Sequence, residues 1–149
     1  MTESSAPRPR LTVAIPCYNE SEVLPLLVQR LRPVLDGLGE AYEVIMIDDG
    51  SRDATAEDLR AIAASWPQVR PLLLARNVGH QTALTAGLDH ARGDFVVTMD
   101  ADLQDPPELI PVMLEQAVTR GVDVVYARRS DRSTDTRFKR WTAAASGSQ

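Results

Sequence analysis

Short apolar runs alternate with helical patterns along nearly the whole chain, and that rhythm narrows the possible folds more than any other feature. Leu11–Ile15 (LTVAI), Glu43–Ile47 (EVIMI), Val69–Leu74, Phe95–Met99 (FVVTM) and Val122–Tyr126 read as strands. Residues 21–38 place Val23, Leu27, Leu31, Val34 and Leu38 at helical spacing, with Ser21 as N-cap and a kink expected at Pro33. Further helices are expected over Asp53–Ala64, Gln81–Ala91 and residues 107–120. Pro16 is expected to end the first strand, and Ser51 or Asp53 to cap the second helix. Continuous apolar strands joined by helical crossovers require burial on both sides, so the fold class is α/β: a mostly parallel sheet with helices on both faces.

A chain of 149 residues has room for one such domain. Its 44% hydrophobic and 25% charged residues exclude wholesale disorder. Sixteen basic against 21 acidic residues give a net charge of −5, which argues against nucleic acid as a partner. The lone Cys17 excludes an internal disulfide or a multi-cysteine zinc site, and it reads as a small buried residue. No apolar run approaches the roughly 20 residues needed to cross a bilayer. Met1–Arg10 lacks the apolar stretch of a secretory signal, so a cytoplasmic location is expected. Residues 1–10 read as a loose tail, 11–129 as the α/β domain and 130–149 as a basic, flexible tail. Arg128–Arg140 holds six basic and two acidic residues. The alternation stops there, so the sheet reads as incomplete at its C-terminus.

In parallel sheets, ligands gather at the carboxyl ends of the strands. The polar residues fall there: Pro16-Cys17-Tyr18-Asn19-Glu20 after the first strand, Asp48-Asp49-Gly50-Ser51 after the second, and Asp100-Ala101-Asp102 after the fourth. In an extended run, alternation sets Asp100, Asp102 and Gln104 on one face, and Pro106 and Pro107 disfavour helical geometry before them. A helix is then expected from Pro107, with Glu108 in its first turn. Two carboxylates and an amide oxygen are hard donors of the kind that suit Mg²⁺ or Mn²⁺. Asp48 and Asp49 admit two readings: turn and cap chemistry, or acceptors for a base N–H or a ribose hydroxyl. Arg76-Asn77-Val78-Gly79-His80 is either a loop whose glycine takes positive φ or a cationic contact from Arg76 to a nucleotide phosphate. His80 and His90 read as structural. The glycine-rich dinucleotide and P-loop signatures and the Gly-x-Ser-x-Gly elbow are absent from the sequence.

Together, Val13–Glu20 (VAIPCYNE), Asp48–Asp53 (DDGSRD), Arg76-Asn77-x-Gly79 and Asp100-Ala101-Asp102 resemble the family 2 glycosyltransferases. The longer string Asp-Ala-Asp-Leu-Gln-Asp-Pro-Pro-Glu resembles the branch related to dolichol-phosphate mannose synthase and bacterial polyprenyl-phosphate glycosyltransferases. The resemblance runs from about Leu11 to Arg129 and implies a GT-A, Rossmann-like fold. It implies that Pro16, Tyr18, Glu20, Ile47 and Asp49 line a nucleotide-sugar pocket with Arg76 and Asp100. It also implies that Asp100, Asp102 and Gln104 meet a metal and the donor diphosphate, and that Arg128 lies near the phosphates. Asp102 and Arg128 are thus the expected catalytic residues. Arg132, Arg137, Lys139 and Arg140 fall where this branch has an acceptor-side loop.

The activity so implied is a metal-dependent, inverting transfer of sugar from a UDP- or GDP-linked donor to a polyprenyl phosphate at the cytoplasmic face of a membrane. A phosphate monoester is largely deprotonated at neutral pH, which accounts for the lack of an evident general base. Two alternatives stay open: a non-catalytic nucleotide-sugar-binding fragment, and a family 2 enzyme with a hydroxyl acceptor. Homo-oligomerisation is left open as well.

Overall fold

The computed structural model describes residues 8–104 and 106–121 in full, together with the backbone of 124–129 and 134–139. The order is β1 (Leu11–Cys17), α1 (Leu24–Asp36), β2 (Tyr42–Asp48), α2 (Thr55–Ser65), β3 (Val69–Leu73), α3 (His80–Asp89) and β4 (Phe95–Thr98). A 3₁₀ turn at Pro107–Leu109 then leads into α4 (Ile110–Arg120), β5 (Val124–Arg129) and β6 (Thr134–Lys139). The sheet has six strands in the order β3-β2-β1-β4-β5-β6. The first five are parallel, and β6 returns antiparallel to β5.

The α/β reading is correct, with helices on both faces. Leu11, Val13, Ile15 and Cys17 of β1 turn to one face, where Val44, Met46 and Val97 join residues of α1, α2 and α4. Ala14, Ile45, Ile47 and Val96 turn to the other, under Ala83, Leu84 and Leu88 of α3. Trp66, fully buried, donates its Nε1–H to Tyr42 Oη at 3.0 Å.

Several boundaries differ from the sequence reading, each for a local reason. Pro16 does not end β1; it pairs in register with Ile47 and the strand runs on to Cys17. The carbonyls of Arg10 and Ala14 accept amides from the β4 side, so Pro16 points to that side too, beyond the last β4 residue. Its missing N–H therefore leaves no ladder bond unmade. Ser21 is not the α1 N-cap. The cap is Val23 without a side-chain bond, and the Ser21 hydroxyl instead donates to Asp58. The α1 helix continues through Pro33 to Asp36. The cap position of α2 is Ala54, yet Asp53 Oδ1 accepts the Thr55 N–H at 2.9 Å, which satisfies one amide of the first turn. Residues 134–139, expected within a flexible tail, form β6. In sequence, Thr134, Thr136 and Phe138 alternate with charged residues, a period-2 pattern of β-formers.

The amino ends of the strands carry a buried polar group. The Glu43 side chain is 4% exposed. Its Oε2 accepts the Thr12 hydroxyl at 2.6 Å and the Arg92 N–H at 2.7 Å, while Arg70 donates to Oε1. Thr12 Oγ1 in turn accepts the Gly93 N–H at 2.9 Å. Burial opposes ionisation here, but the bonds from Thr12, Arg92 and Arg70 outweigh it and hold the Glu43 carboxyl below its ordinary value.

Candidate functional site

From β1 the chain leaves towards β2 on one side, and β4 lies on the other. That reversal opens a crevice beyond the carboxyl ends of β1 and β4, where open α/β sheets place ligands. Four loops meet there.

The β1 loop is locked to the β2 loop. Asn19, at φ 54, donates its N–H to Ser51 Oγ at 2.8 Å, and its own Oδ1 accepts the Arg52 N–H at 2.9 Å. Asparagine tolerates this left-handed backbone because its short amide bonds locally. The Glu20 N–H donates to Thr55 Oγ1 at 2.9 Å, and the Ser21 N–H to Asp53 Oδ2 at 3.2 Å. Tyr18 and Glu20 therefore stand on a pinned backbone, with Tyr18 exposed and Glu20 half-buried.

The β2 loop is locked in turn to the loop after β3. Asp49 Oδ1 accepts the Val78 N–H at 2.8 Å, and Oδ2 accepts Asn77 Nδ2–H at 3.0 Å. Gly50, at φ +70, lies so close to this loop that a Cβ there would sit 2.3 Å from the Arg76 carbonyl carbon and the Asn77 nitrogen. Only glycine fits such an approach. The result fixes Arg76 on the rim, exposed and with no side-chain partner among the described residues.

The fourth loop follows β4, and here the geometry departs from the extended reading. Residues 101–104 turn, with Leu103 at φ 65. Ala101 is buried and Leu103 packs on the same core, so apolar burial bends the segment that alternation alone would keep straight. Asp102 accepts from its near neighbour instead, taking Gln104 Nε2–H at 2.8 Å on Oδ2 and the Gln104 backbone N–H at 3.2 Å on Oδ1. Beyond Asp105, which lies outside the described residues, Pro106 is extended and the 3₁₀ turn opens at Pro107 with Glu108 in it, as expected. Arg30 donates to that glutamate at 2.8 Å and ties α1 to the turn.

These loops bring like charges together. Burial first, then the negative charges of Asp102, Asp100 and Asp53, push the Glu20 carboxyl above its ordinary value. Two residues expected to line the pocket are buried in this structure. Ile47 is fully buried under α3, and Asp49, 3% exposed, has both carboxylate oxygens engaged by the neighbouring loop. Pro16 is also buried, in the β1–β2 ladder. Cys17 is buried, with its thiol pushed up by that burial and by Glu20 and Asp48, so it is no nucleophile. His90 caps the end of α3 and bonds Ala86 O at 2.8 Å. The sequence reading did not pair His80 with Asp100, yet its Nε2 lies 3.1 Å from Asp100 Oδ1. Arg128 and Arg137 are placed by backbone alone, in β5 and β6, and Arg132 and Arg140 lie outside the described residues.

Asp100, Asp102 and Glu20 bring carboxylate oxygens, hard donors of the kind a divalent cation takes, to the same end of the sheet. Among the described residues, no group of three or more His, Cys, Asp or Glu is already gathered closely enough to hold one. Nor is any helix among them long and apolar enough to cross a membrane.

Comparison with known proteins adds a family. The model described as Glycosyl transferase family 2 matches residues 12–147. The prophage bactoprenol glucosyl transferase homolog of Escherichia coli (strain K12) is 45% identical over 134 residues, 90% of this chain and 44% of that protein. The undecaprenyl-phosphate 4-deoxy-4-formamido-L-arabinose transferase of Pseudomonas aeruginosa (strain LESB58) is 45% identical over 132 residues, 88% of this chain and 38% of that protein. The chain thus spans less than half the length of these curated relatives. Among solved structures, the mannosyltransferase PcManGT from Pyrobaculum calidifontis, in complex with GDP-Man and Mn²⁺, superposes with a TM-score of 0.63 at 27% identity. That match covers 77% of this chain and 34% of the other. S. aureus TarS 1-349 in complex with UDP-GlcNAc shares the fold, with a TM-score of 0.53 at 24% identity over 62% of this chain and 26% of that one.

Proposed function

The chain belongs to glycosyl transferase family 2, and on that premise we propose that it binds a nucleotide-sugar donor in the β1–β4 crevice and passes the sugar, with inversion, to a polyprenyl phosphate. The observation that carries this reading is the convergence of Glu20, Asp100 and Asp102 from two strand ends, beside an exposed Arg76 with no partner of its own among the described residues. A nucleoside diphosphate supplies the anion that Arg76 lacks. The GDP-Man and Mn²⁺ held by PcManGT support the donor class. The names of the bactoprenol and undecaprenyl-phosphate relatives support the acceptor class.

In this reading Tyr18 gives the base a face to stack on, and the Asn19–Ser51–Asp53 bonds keep that face in place. Asp49 orients the Arg76 loop, so that the guanidinium lies against the diphosphate. Asp100, Asp102 and Gln104 would hold Mg²⁺ or Mn²⁺, which when bound supplies Lewis-acid stabilisation of the charge on the departing diphosphate. A phosphate acceptor, with a second pKa of about 6, attacks the anomeric carbon without needing its proton removed. The new glycosyl–phosphate bond forms as the bond to the nucleoside diphosphate breaks. The proposal places Arg128 near the phosphates and the basic stretch after it on the acceptor side, where it attracts an anionic headgroup at the cytoplasmic membrane face.

The test is transfer of radiolabelled sugar from UDP-glucose or GDP-mannose into an organic extract containing undecaprenyl phosphate and Mn²⁺. The expected outcome is a labelled lipid product with one donor, reduced about a thousandfold (about 4 kcal/mol of barrier) by Asp102→Asn. Equal transfer by the Asp102→Asn variant would remove that residue from the chemistry. No product from a chain that binds nucleotide would leave donor binding without transfer.

A further inference from the structure

The histidine at the start of α3 has a place in this site that its sequence position does not disclose. His80 opens the first turn of a helix whose N-cap, Gly79, sits at φ 99. Two residues earlier, Val78 is bonded through its N–H to Asp49, and Asn77 is bonded to the same carboxylate. On the far side, Ala83, Leu84 and Leu88 seat the helix on β1 and β2. The backbone carrying His80 is therefore held at both ends. Its imidazole Nε2 lies 3.1 Å from Asp100 Oδ1, with both side chains exposed to the crevice. A carboxylate only accepts hydrogen bonds, so the Nε2 proton makes the bond.

Asp100 shares its surroundings with the charges of Asp102 and Glu20. Repulsion among them favours rotamers in which each carboxylate swings away into water. Among the described residues, the imidazole of His80 is the side chain bonded to Asp100, and it comes from a different strand connection than either acid.

We propose that His80 is a positioning residue of the donor site, its Nε2–H holding the Asp100 carboxylate turned into the crevice where the donor diphosphate is received. This rests on the donor-site reading above. Removing the bond frees a rotor that must be ordered again each time a ligand binds, which weakens binding without unfolding an exposed helix start.

The test compares the parent chain with His80→Ala and His80→Gln. Glutamine carries an amide N–H near the position of the imidazole Nε2–H, so it restores the donor where alanine does not. Calorimetric titration of UDP and GDP with Mn²⁺ should show His80→Ala binding about tenfold more weakly, with His80→Gln close to the parent and all three melting together. A second readout needs no nucleotide. In ¹⁵N spectra of the metal-free chain, the neutral His80 imidazole should populate the Nε2–H tautomer more completely than free histidine does, and relax to the free-histidine ratio in Asp100→Ala. A parent that binds nucleotide while His80→Ala binds equally well overturns the proposal, as does a glutamine variant no better than alanine. A parent that binds neither nucleotide overturns the donor-site reading. In that case a tautomer ratio equal to that of free histidine overturns the His80–Asp100 pairing too, whereas a ratio shifted further to Nε2–H keeps the pairing and overturns only the role given to it.

Discussion

At the amino ends of the strands, one buried carboxylate is met by hydrogen-bond donors on both its oxygens. At the carboxyl ends, several exposed carboxylates meet each other. Glu43 is bonded by Thr12, by the Arg92 N–H and by Arg70, and its carboxyl is held below the ordinary value. Glu20, facing Asp100, Asp102 and Asp53, is pushed above it. The same side-chain chemistry thus adds stability at one edge and strain at the other. Like charges gathered at the mouth of a sheet are what an external cation would relieve, so the carboxyl edge is the one to examine for ligands.

Substitutions at the two edges should therefore separate. Glu43→Ala has the largest expected effect on folding, about 3 kcal/mol, because it leaves the Thr12 hydroxyl, the Arg92 N–H and nearby cations without their acceptor. Thermal unfolding should show a fall of about 9 °C. The folded remainder should bind nucleotide as the parent does, which a titration well below the transition checks. Gly50→Ala blurs the two edges on purpose. A Cβ pressed into the Arg76–Asn77 backbone at positive φ should cost about 2 kcal/mol and shift Arg76 as well. Melting and nucleotide affinity should therefore fall together, and a change in melting alone would show that Arg76 does not depend on that approach.

The smallest effect is in acid. A folded carboxyl held below the unfolded glutamate value of 4.5 makes the unfolded chain the stronger proton binder. The stability Glu43 supplies is therefore present above that value and is lost as pH falls through the depressed folded one. Chemical denaturation below pH 4.5 should show a flatter pH dependence in Glu43→Gln than in the parent. A parallel slope would mean that other carboxylates set the acid limit.

The strands and helices were legible in the sequence because continuous apolar runs and 3.6-residue spacing are strong, local signals. The acidic loops were legible because each directly follows a strand. What escaped was what depends on neighbours. Pro16 looks like a strand end until the length of β4 is known, since its missing N–H matters only if a partner is there. The bend at residues 101–104 follows from burial of Ala101 and Leu103, which alternation within the loop cannot report. The bond from Asp49 to the next loop could not be read in sequence, because its partner lies 29 residues further on at Val78. His80 meets Asp100 across 20 residues, and no local pattern joins them. The β6 signal was present as Thr-x-Thr-x-Phe but was obscured by the charged residues between.

The measurement that bears most directly on the account is calorimetric titration of UDP and of GDP into the chain, with and without Mn²⁺, repeated for Asp102→Asn and Glu43→Gln. The account expects one nucleotide to bind only with Mn²⁺, binding to vanish in Asp102→Asn, and binding to persist in folded Glu43→Gln. A folded parent that binds neither nucleotide, or binding that survives Asp102→Asn and is lost in folded Glu43→Gln, would contradict the assignment of the carboxyl edge as the donor site.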